Sequence, residues 1–485
     1  LNFYKIGLDY QGDSMLKSFD FSALYTDFYE LTMAQGYFLT NKKEDIATFD
    51  YFFRSNPFNG GYTVFAGLGD FLNLIKDFRF TDENLIYLEK QGFLKDFISY
   101  LKDFKFRGEI LSCREGEIVF PNEPLIRVSG NIIECQLIET LILNIINFQS
   151  LIATKTSRIV YAAEGKPVID FGLRRAQGFA GIMATKASII GGAAATSNTL
   201  AGYLYDIPVK GTHAHSWVQS FANEYLAFRS FVENFPENAI LLIDTYDTLN
   251  SGLPNAIKVA KEMERKNLKL KGVRLDSGDF SYFSKKVRER LDQNNLGYVK
   301  ILVSNQLDEY TIQSLNNQNS PIDMWGVGTR LITAYDQPAL DGVYKLSSLN
   351  GEAKIKISEN IEKINNPGIK KVRRYFDFNS KFFIDGIILE KEENIKVIKH
   401  PFDIYKKTPV DKSEYEELLL PVYKDGEIRI NFSIKDIVEY KNKRFETLNE
   451  EHKRFVNPHV YRVGISKKLW ELKDTLIKRY KSNLK

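Results

Sequence analysis

The chain has 485 residues, 44% hydrophobic and 26% charged, which at about 100 to 200 residues per domain suits two to four domains. Lys and Arg total 66 against 62 Asp and Glu, a net charge of +4 with no long block of one sign, which counts against a nucleic-acid binder driven by phosphate neutralisation. Cys113 and Cys135 are too few for a disulfide framework or a thiolate zinc site and fit a reducing, cytoplasmic setting.

No uninterrupted apolar run approaches the ~18 residues of a membrane span. The richest stretch, 182–195, is broken by Lys186 and Gly191–Gly192. No basic segment followed by an apolar one opens the chain, so no secretory signal is read. Met15 stands just before the first organised stretch, and residues 1–14 are taken as upstream or tag sequence outside the fold.

From Ser22 to Phe38, Leu24, Phe28, Leu31 and Met33 recur at roughly helical spacing, with Ser22 as the expected N-cap. Residues 108–130 alternate short apolar runs with Gly, Asn and Pro and predict several short strands. A helix over Cys135 to Ile152 follows. Together these define an N-terminal α+β domain over 15–150.

The middle of the chain changes rhythm. Short aliphatic runs occur at IDFG (169–172), PVKGT (208–212), ILLIDT (240–245), GVRLDSG (272–278), KILVSN (300–305) and MWGVGT (324–329). Helical stripes lie between them, such as Ile257, Ala260 and Met263, then Phe283, Val287 and Leu291. Strand and helix in alternation, with nearly continuous apolar strands, predict an irregular or partial TIM-like βα barrel over 151–346. Beyond it, 347–485 is expected to pack on and complete the N-terminal domain. The lysine-flanked turn around Pro367 and Gly368 reads as a solvated loop with surface strands, KFFIDGIILE (381–390) as strand-like, and 470–485 as a basic amphipathic surface helix.

Nearly every apolar run of the middle region ends in polar, ionisable or glycine residues: Asp170 and Arg174, His213 and His215, Asp244 and Asp247, Arg274 with Asp276 and Asp279, Asn305, then Gly326 and Gly328. In βα barrels the carboxyl ends of the strands carry the active site. Capping of the next helix explains any one such residue about as well, but six successive ends behaving alike do not fit capping alone. Of the five histidines, His213, His215, His400, His452 and His459, two sit in GTHAHS (211–216). On an extended segment they face opposite ways, so one at most faces a barrel mouth, where Asp244 or Asp247 is placed to fix its tautomer. Arg274 and Asp276 project together, suiting phosphate or carboxylate and sugar hydroxyls or a hydrated cation. The GVGT segment (326–329) offers open backbone N–H groups and a hydroxyl of the kind that binds phosphate. The residues alone point to sugar-phosphate chemistry. An aldolase or isomerase would need a Schiff-base lysine or an acid–base pair, and Lys155 and Lys186 end no clear strand.

YTDFYELTMAQGYF near the start, FNGGYTVFAGL (58–68), EGEIVFPNEPL (115–125), LIATKTSRI (151–159), IDFGLRRAQG (169–178), ATSNTLAG (195–202), GTHAHSWVQSF (211–221), RLDSGD (274–279) and GVGTRL (326–331) resemble, in order, the motifs of the nicotinate phosphoribosyltransferases. The likeness runs from about Tyr25 to Arg374. It implies that nicotinate and 5-phosphoribosyl 1-diphosphate give nicotinate mononucleotide and diphosphate, with ATP as co-substrate and Mg²⁺ as cofactor. It also implies a homodimer with shared active sites. By this resemblance His215 is the phosphohistidine and Asp244 the carboxylate that holds it. Tyr29, supplied across the dimer, and Phe171 would stack on the pyridine ring, with Arg174, Asn198, Thr212 and Arg274 near nicotinate. Arg158, Arg274, Asp276, Asp279, Gly326, Gly328 and Thr329 would bind phosphoribosyl diphosphate, and no metal ligand is assigned. Asn198, where the nicotinamide-using relatives carry an aspartate, favours nicotinate over the alternative, nicotinamide. Gln306 departs from the acidic residue that relatives often carry.

Overall fold

The computed structural model describes residues 21–359, 364–403 and 405–482; residues 1–14 lie outside that range. The fold is mixed α/β. It divides into two compact units, one formed by 1–151 with 339–485, the other by Ile152–Pro338.

The first unit is built on a seven-stranded sheet. An inner strand, Ile46–Phe53, pairs antiparallel with Ile126–Asn131 on one side and with Gly342–Leu349 on the other, so the two chain segments meet side by side in one sheet. The predicted strands of 108–130 are present as Glu109–Ser112, Ile118–Val119 and Ile126–Asn131. The first helix starts later than its pattern suggested, at Phe28, with Asp27 as N-cap. Ser22 instead accepts the N–H of Leu24, closing a turn ahead of the helix.

A second, six-stranded sheet contains Lys370–Phe376 and Phe382–Leu389. The expectation of surface strands fails here. Lys370 is buried against Asp50 at 2.7 Å, and Arg374 is wholly buried, pairing with Asp385 and Glu117, each at 2.6 Å. Arg444 joins Glu117 at 2.8 Å. A guanidinium enters a protein interior only when carboxylates meet its donors; Asp385 comes from the next strand, but Glu117 comes from a segment 257 residues away, which a local reading of KKVRR cannot see.

The segment Ile132–Ala162 is long and apolar enough to cross a membrane by length and composition, which the search for uninterrupted apolar runs missed because Glu134, Gln136 and Glu139 punctuate it. Seventy-two per cent of its most apolar window is buried inside the protein, the behaviour of a core helix.

The second unit holds six parallel strands in the spatial order Ala195–Thr196, Val168–Asp170, Met324–Val327, Lys300–Ser304, Gly272–Leu275, Ile240–Leu242. Their residues are almost all buried, as expected for a parallel sheet covered by helices. Helices Leu253–Arg265 and Phe280–Gln293 turn Ala260, Met263, Val287 and Leu291 inward. Among the described residues no ladder joins the two edge strands, so the hydrogen-bonded sheet is not a closed barrel. Residues 208–212 form no strand, only a single bridge from Val209 to Thr196. The two-residue strand at Ala195 is too short to show a period of two.

Candidate functional site

The carboxyl ends of the strands in the second unit converge on Arg274. Its guanidinium donates from Nε to Ser304 Oγ at 2.8 Å, from Nη1 to Thr212 Oγ1 at 3.0 Å and from Nη2 to Asp276 Oδ1 at 2.6 Å. Three donors fixed on three residues leave this planar group little rotational freedom. Ser304 also donates to Asp276, and Asn305 Nδ2 donates to the Asp276 carbonyl at 3.0 Å. Burial pushes the Asp276 carboxyl up, but the Arg274 charge and the hydrogen bonds from Ser304 and Arg274 outweigh it and hold the group below its usual range. Asp276 is therefore an anion at neutral pH.

Beside Arg274 lies Phe171, with its ring centroid 5.5 Å from the guanidinium carbon. The ring rests on Gly326, where an added Cβ would come within 2.6 Å of two ring carbons. Gly326 is thus a packing glycine inside its strand, and the backbone at the open end is that of Gly328 and the exposed Thr329, which begins the short helix Thr329–Ile332.

The two neighbouring histidines separate as expected for their spacing. His213 is buried against Phe228 and Phe231; its Nε2 accepts the N–H of Leu242 at 3.2 Å and its Nδ1 faces the Ala214 carbonyl at 3.4 Å. Burial, with smaller contributions from the Arg274 and His215 charges, lowers its pKa to about 4, so it stays neutral and structural. His215 opens the helix His215–Gln219, half-buried, with Nδ1 at 3.1 Å from Thr245 Oγ1. Asp244 makes no hydrogen bond to it. Asp244 Oδ2 instead accepts from the Asp276 N–H at 2.9 Å and the Ser277 hydroxyl at 2.6 Å, while Oδ1 is buried without a partner.

Other residues singled out in the sequence stand outside this cluster. Asp170 is buried and accepts from Gly172 N–H, Thr185 and Thr196, a structural knot; Asp247 and Asp279 cap helices. Asn198 is 1% exposed; its Oδ1 caps the next helix and its Nδ2 donates to Thr185 and to the Gly181 carbonyl. Arg158 is buried on Glu309 at 2.8 Å, and Lys155 pairs with Glu309 and Asp336. Arg174 is exposed on the turn Leu173–Arg175. Tyr29 belongs to the other unit and is 46% exposed. Ser304 and Thr245 are the participants the sequence reading passed over, although each ends an apolar run already noted. Hydroxyls at such ends deserve the same weight as charges. Asn305 and Gln306 both adopt positive φ, 85° and 51°, so the chain turns sharply there and the Gln306 departure falls on a strained corner.

Family models cover most of the chain: the nicotinate phosphoribosyltransferase N-terminal domain over residues 24–147, the nicotinate phosphoribosyltransferase family over 167–383 and the C-terminal domain over 369–473. The nicotinate phosphoribosyltransferase of Bacillus subtilis (strain 168) is 42% identical over 477 residues, covering 96% of this chain and 97% of its own. That of Caenorhabditis elegans is 36% identical, covering 93% of each. The crystal structure of human nicotinic acid phosphoribosyltransferase superposes with a TM-score of 0.83 at 28% identity, covering 93% of this chain and 99% of that one.

Proposed function

From the premise that this chain belongs to the nicotinate phosphoribosyltransferase family and is an enzyme of NAD salvage, we propose that its strand-end cluster joins nicotinate to phosphoribosyl in a reaction coupled to ATP through His215. The observation that carries this reading is Arg274, locked by Ser304, Thr212 and Asp276 and set beside the face of Phe171. An aromatic face next to a fixed cation suits a planar ring bearing a carboxylate. Nicotinate stacks on Phe171, and in a homodimer Tyr29 of the partner subunit closes the other ring face. Thr212 and Arg174 supply further donors. Asp276 accepts from ribose hydroxyls, and Gly328 with Thr329 takes the 5-phosphate.

The pyridine nitrogen already carries its lone pair, so no general base is required. It attacks C1 of the ribose as the C1–O bond breaks, and diphosphate leaves with the bonding electrons. Positive charge grows on the sugar during this step, and the Asp276 carboxylate is the fixed negative charge of the cluster. Alignment of the two reactants accounts for much of the rate. The residues present fit Mg²⁺: Asp244 Oδ1 is a buried carboxylate oxygen with no partner, the hard donor such an ion takes. When bound, the ion neutralises charge on the diphosphate; Asp244, with Asp276, would hold it.

Donation from His215 Nδ1–H to Thr245 leaves the Nε2 lone pair as nucleophile. It takes the terminal phosphoryl of ATP, ADP leaves, and water later releases phosphate. Thr245 thus takes the orienting place that the sequence comparison gave to Asp244. Arg158, Asn198 and Asp279 support the walls of the site, and a cytoplasmic location completes the reading.

Purified protein with Mg²⁺, phosphoribosyl diphosphate and either nicotinate or nicotinamide, with and without ATP, tests it. Nicotinate mononucleotide should form, faster with ATP and with matching ADP release. Product from nicotinamide alone, or none from either base, overturns the assignment. His215→Ala should keep a slow reaction indifferent to ATP; coupled ATP turnover in that variant removes His215 from the mechanism.

A further inference from the structure

Three histidines play no part in the site above, and two of them meet in the first unit. The short helix Glu450–His452 and the segment through His459 bring Glu451, His452 and His459 together, one donor atom from each lying within 4.8 Å of the others. The backbone holds them in place: His459 N–H donates to the Glu451 carbonyl at 2.9 Å, and His452 Nδ1 is 2.6 Å from the His459 carbonyl. A carbonyl can only accept, so Nδ1 carries the proton and Nε2 keeps its lone pair. Anchoring of one ring nitrogen on a carbonyl is how ligating imidazoles are oriented.

His452 is buried, with Tyr461 against its ring at 5.5 Å and 74°, and Tyr461 in turn donates to Asp385 at 2.9 Å. The His459 ring lies over His452 at 5.1 Å and 15°. Among the described residues the Glu451 carboxylate and the His459 imidazole have no hydrogen-bond or ion-pair partner. All three line a cavity of about 710 Å³, where Asp377, Glu414 and Glu451 outnumber Lys412 and Arg462.

We propose that Glu451, His452 and His459 form a Zn²⁺ site open to this cavity. Two imidazoles and a carboxylate suit zinc, whereas Mg²⁺ and Ca²⁺ prefer all-oxygen shells. Metal–ligand bonds of about 2.0–2.2 Å put tetrahedral donors roughly 3.3 Å apart, so the exposed Glu451 and His459 side chains turn inward toward the fixed His452. Three protein donors leave a fourth position, which faces the cavity and takes water or a small anion. The ion pins the helix Glu450–His452 to the segment before Tyr461.

The full chain, stripped of metal and then titrated with Zn²⁺ in a calorimeter under excess Mg²⁺, should bind one ion per chain. His459→Ala and Glu451→Gln, both exposed and therefore tolerated by the fold, should each weaken binding at least about tenfold, and His400→Ala should not. No binding up to about 100 µM Zn²⁺, or an affinity unchanged in both variants, overturns the proposal. Loss of binding in His215→Ala alone would move the ion to that histidine and overturn it equally.

Discussion

Arg374 and Arg274 both project from strands, both engage an aspartate and both lie beside a phenylalanine ring, yet they belong to different kinds of site. Arg374 is fully buried between the rings of Phe120 and Phe382, and carboxylates meet it from Asp385 and Glu117. A second layer surrounds it. Tyr461 donates to Asp385, Tyr440 and Arg444 to Glu117, and burial together with the Asp385 charge raises the Glu123 carboxyl well above its usual range. Arg274 has one carboxylate and two hydroxyls, and its ring neighbour is only half-covered. Hydroxyls give way to substrate oxygens at little cost, whereas a buried carboxylate does not. Saturation by anions marks a structural arginine, and partial satisfaction beside an accessible aromatic face marks a binding one.

The largest effect should come from breaking the saturated site. Arg374→Met strands Asp385 without its cation, leaves Glu117 with Arg444 alone, and should lower stability by about 3–5 kcal/mol in chemical denaturation, while the protein that still folds keeps its kcat/KM. Arg274→Ala should do the reverse, cutting kcat/KM about 10²- to 10³-fold with a melting temperature close to that of the parent. If the two variants exchange these phenotypes, the distinction fails.

His213 sharpens the boundary, since it lies in the same unit as Arg274 but is packed like a core residue. Its folded pKa, about 4, is below the ~6.5 of an unfolded histidine, so below pH ~6.5 the unfolded chain takes up a proton the folded one refuses. Stability is therefore whole above pH ~6.5 and falls as pH drops toward 4, by roughly 3 kcal/mol from this group. His213→Gln, which keeps an acceptor for Leu242 N–H, should flatten that part of the stability–pH curve. The smallest effect expected is Gly326→Ala. Its methyl would press on Phe171 and raise the KM for nicotinate about tenfold, with a smaller change in kcat.

Much of the second unit was legible because parallel strands announce themselves as short apolar runs ending in polar residues. Arg274, Asp276 and Phe171 were singled out that way or through the family motifs; His213 and His215 do part, although the segment that carries them forms no strand and His215 opens a helix. What escaped depends on distance in sequence. Thr245 rather than Asp244 meets His215, and Ser304 meets Arg274 from the next strand; neither contact leaves a trace in spacing. Arg374 was misread for the same reason, since Glu117 lies 257 residues away from it in sequence. Asn198 and Arg158 carry motif resemblance, yet their side chains are committed to Thr185 and Glu309.

The pairing of Ile46–Phe53 with Gly342–Leu349 also has a bearing on biosynthesis. On the ribosome the first strand emerges long before its partner, with all of Ile152–Pro338 still to be translated, so its edge toward that partner waits exposed while the second unit can already fold. A chain cut short after residue 338 would keep every strand of the parallel sheet yet present an unpaired β edge, and it should aggregate or recruit chaperones where the full-length protein does not.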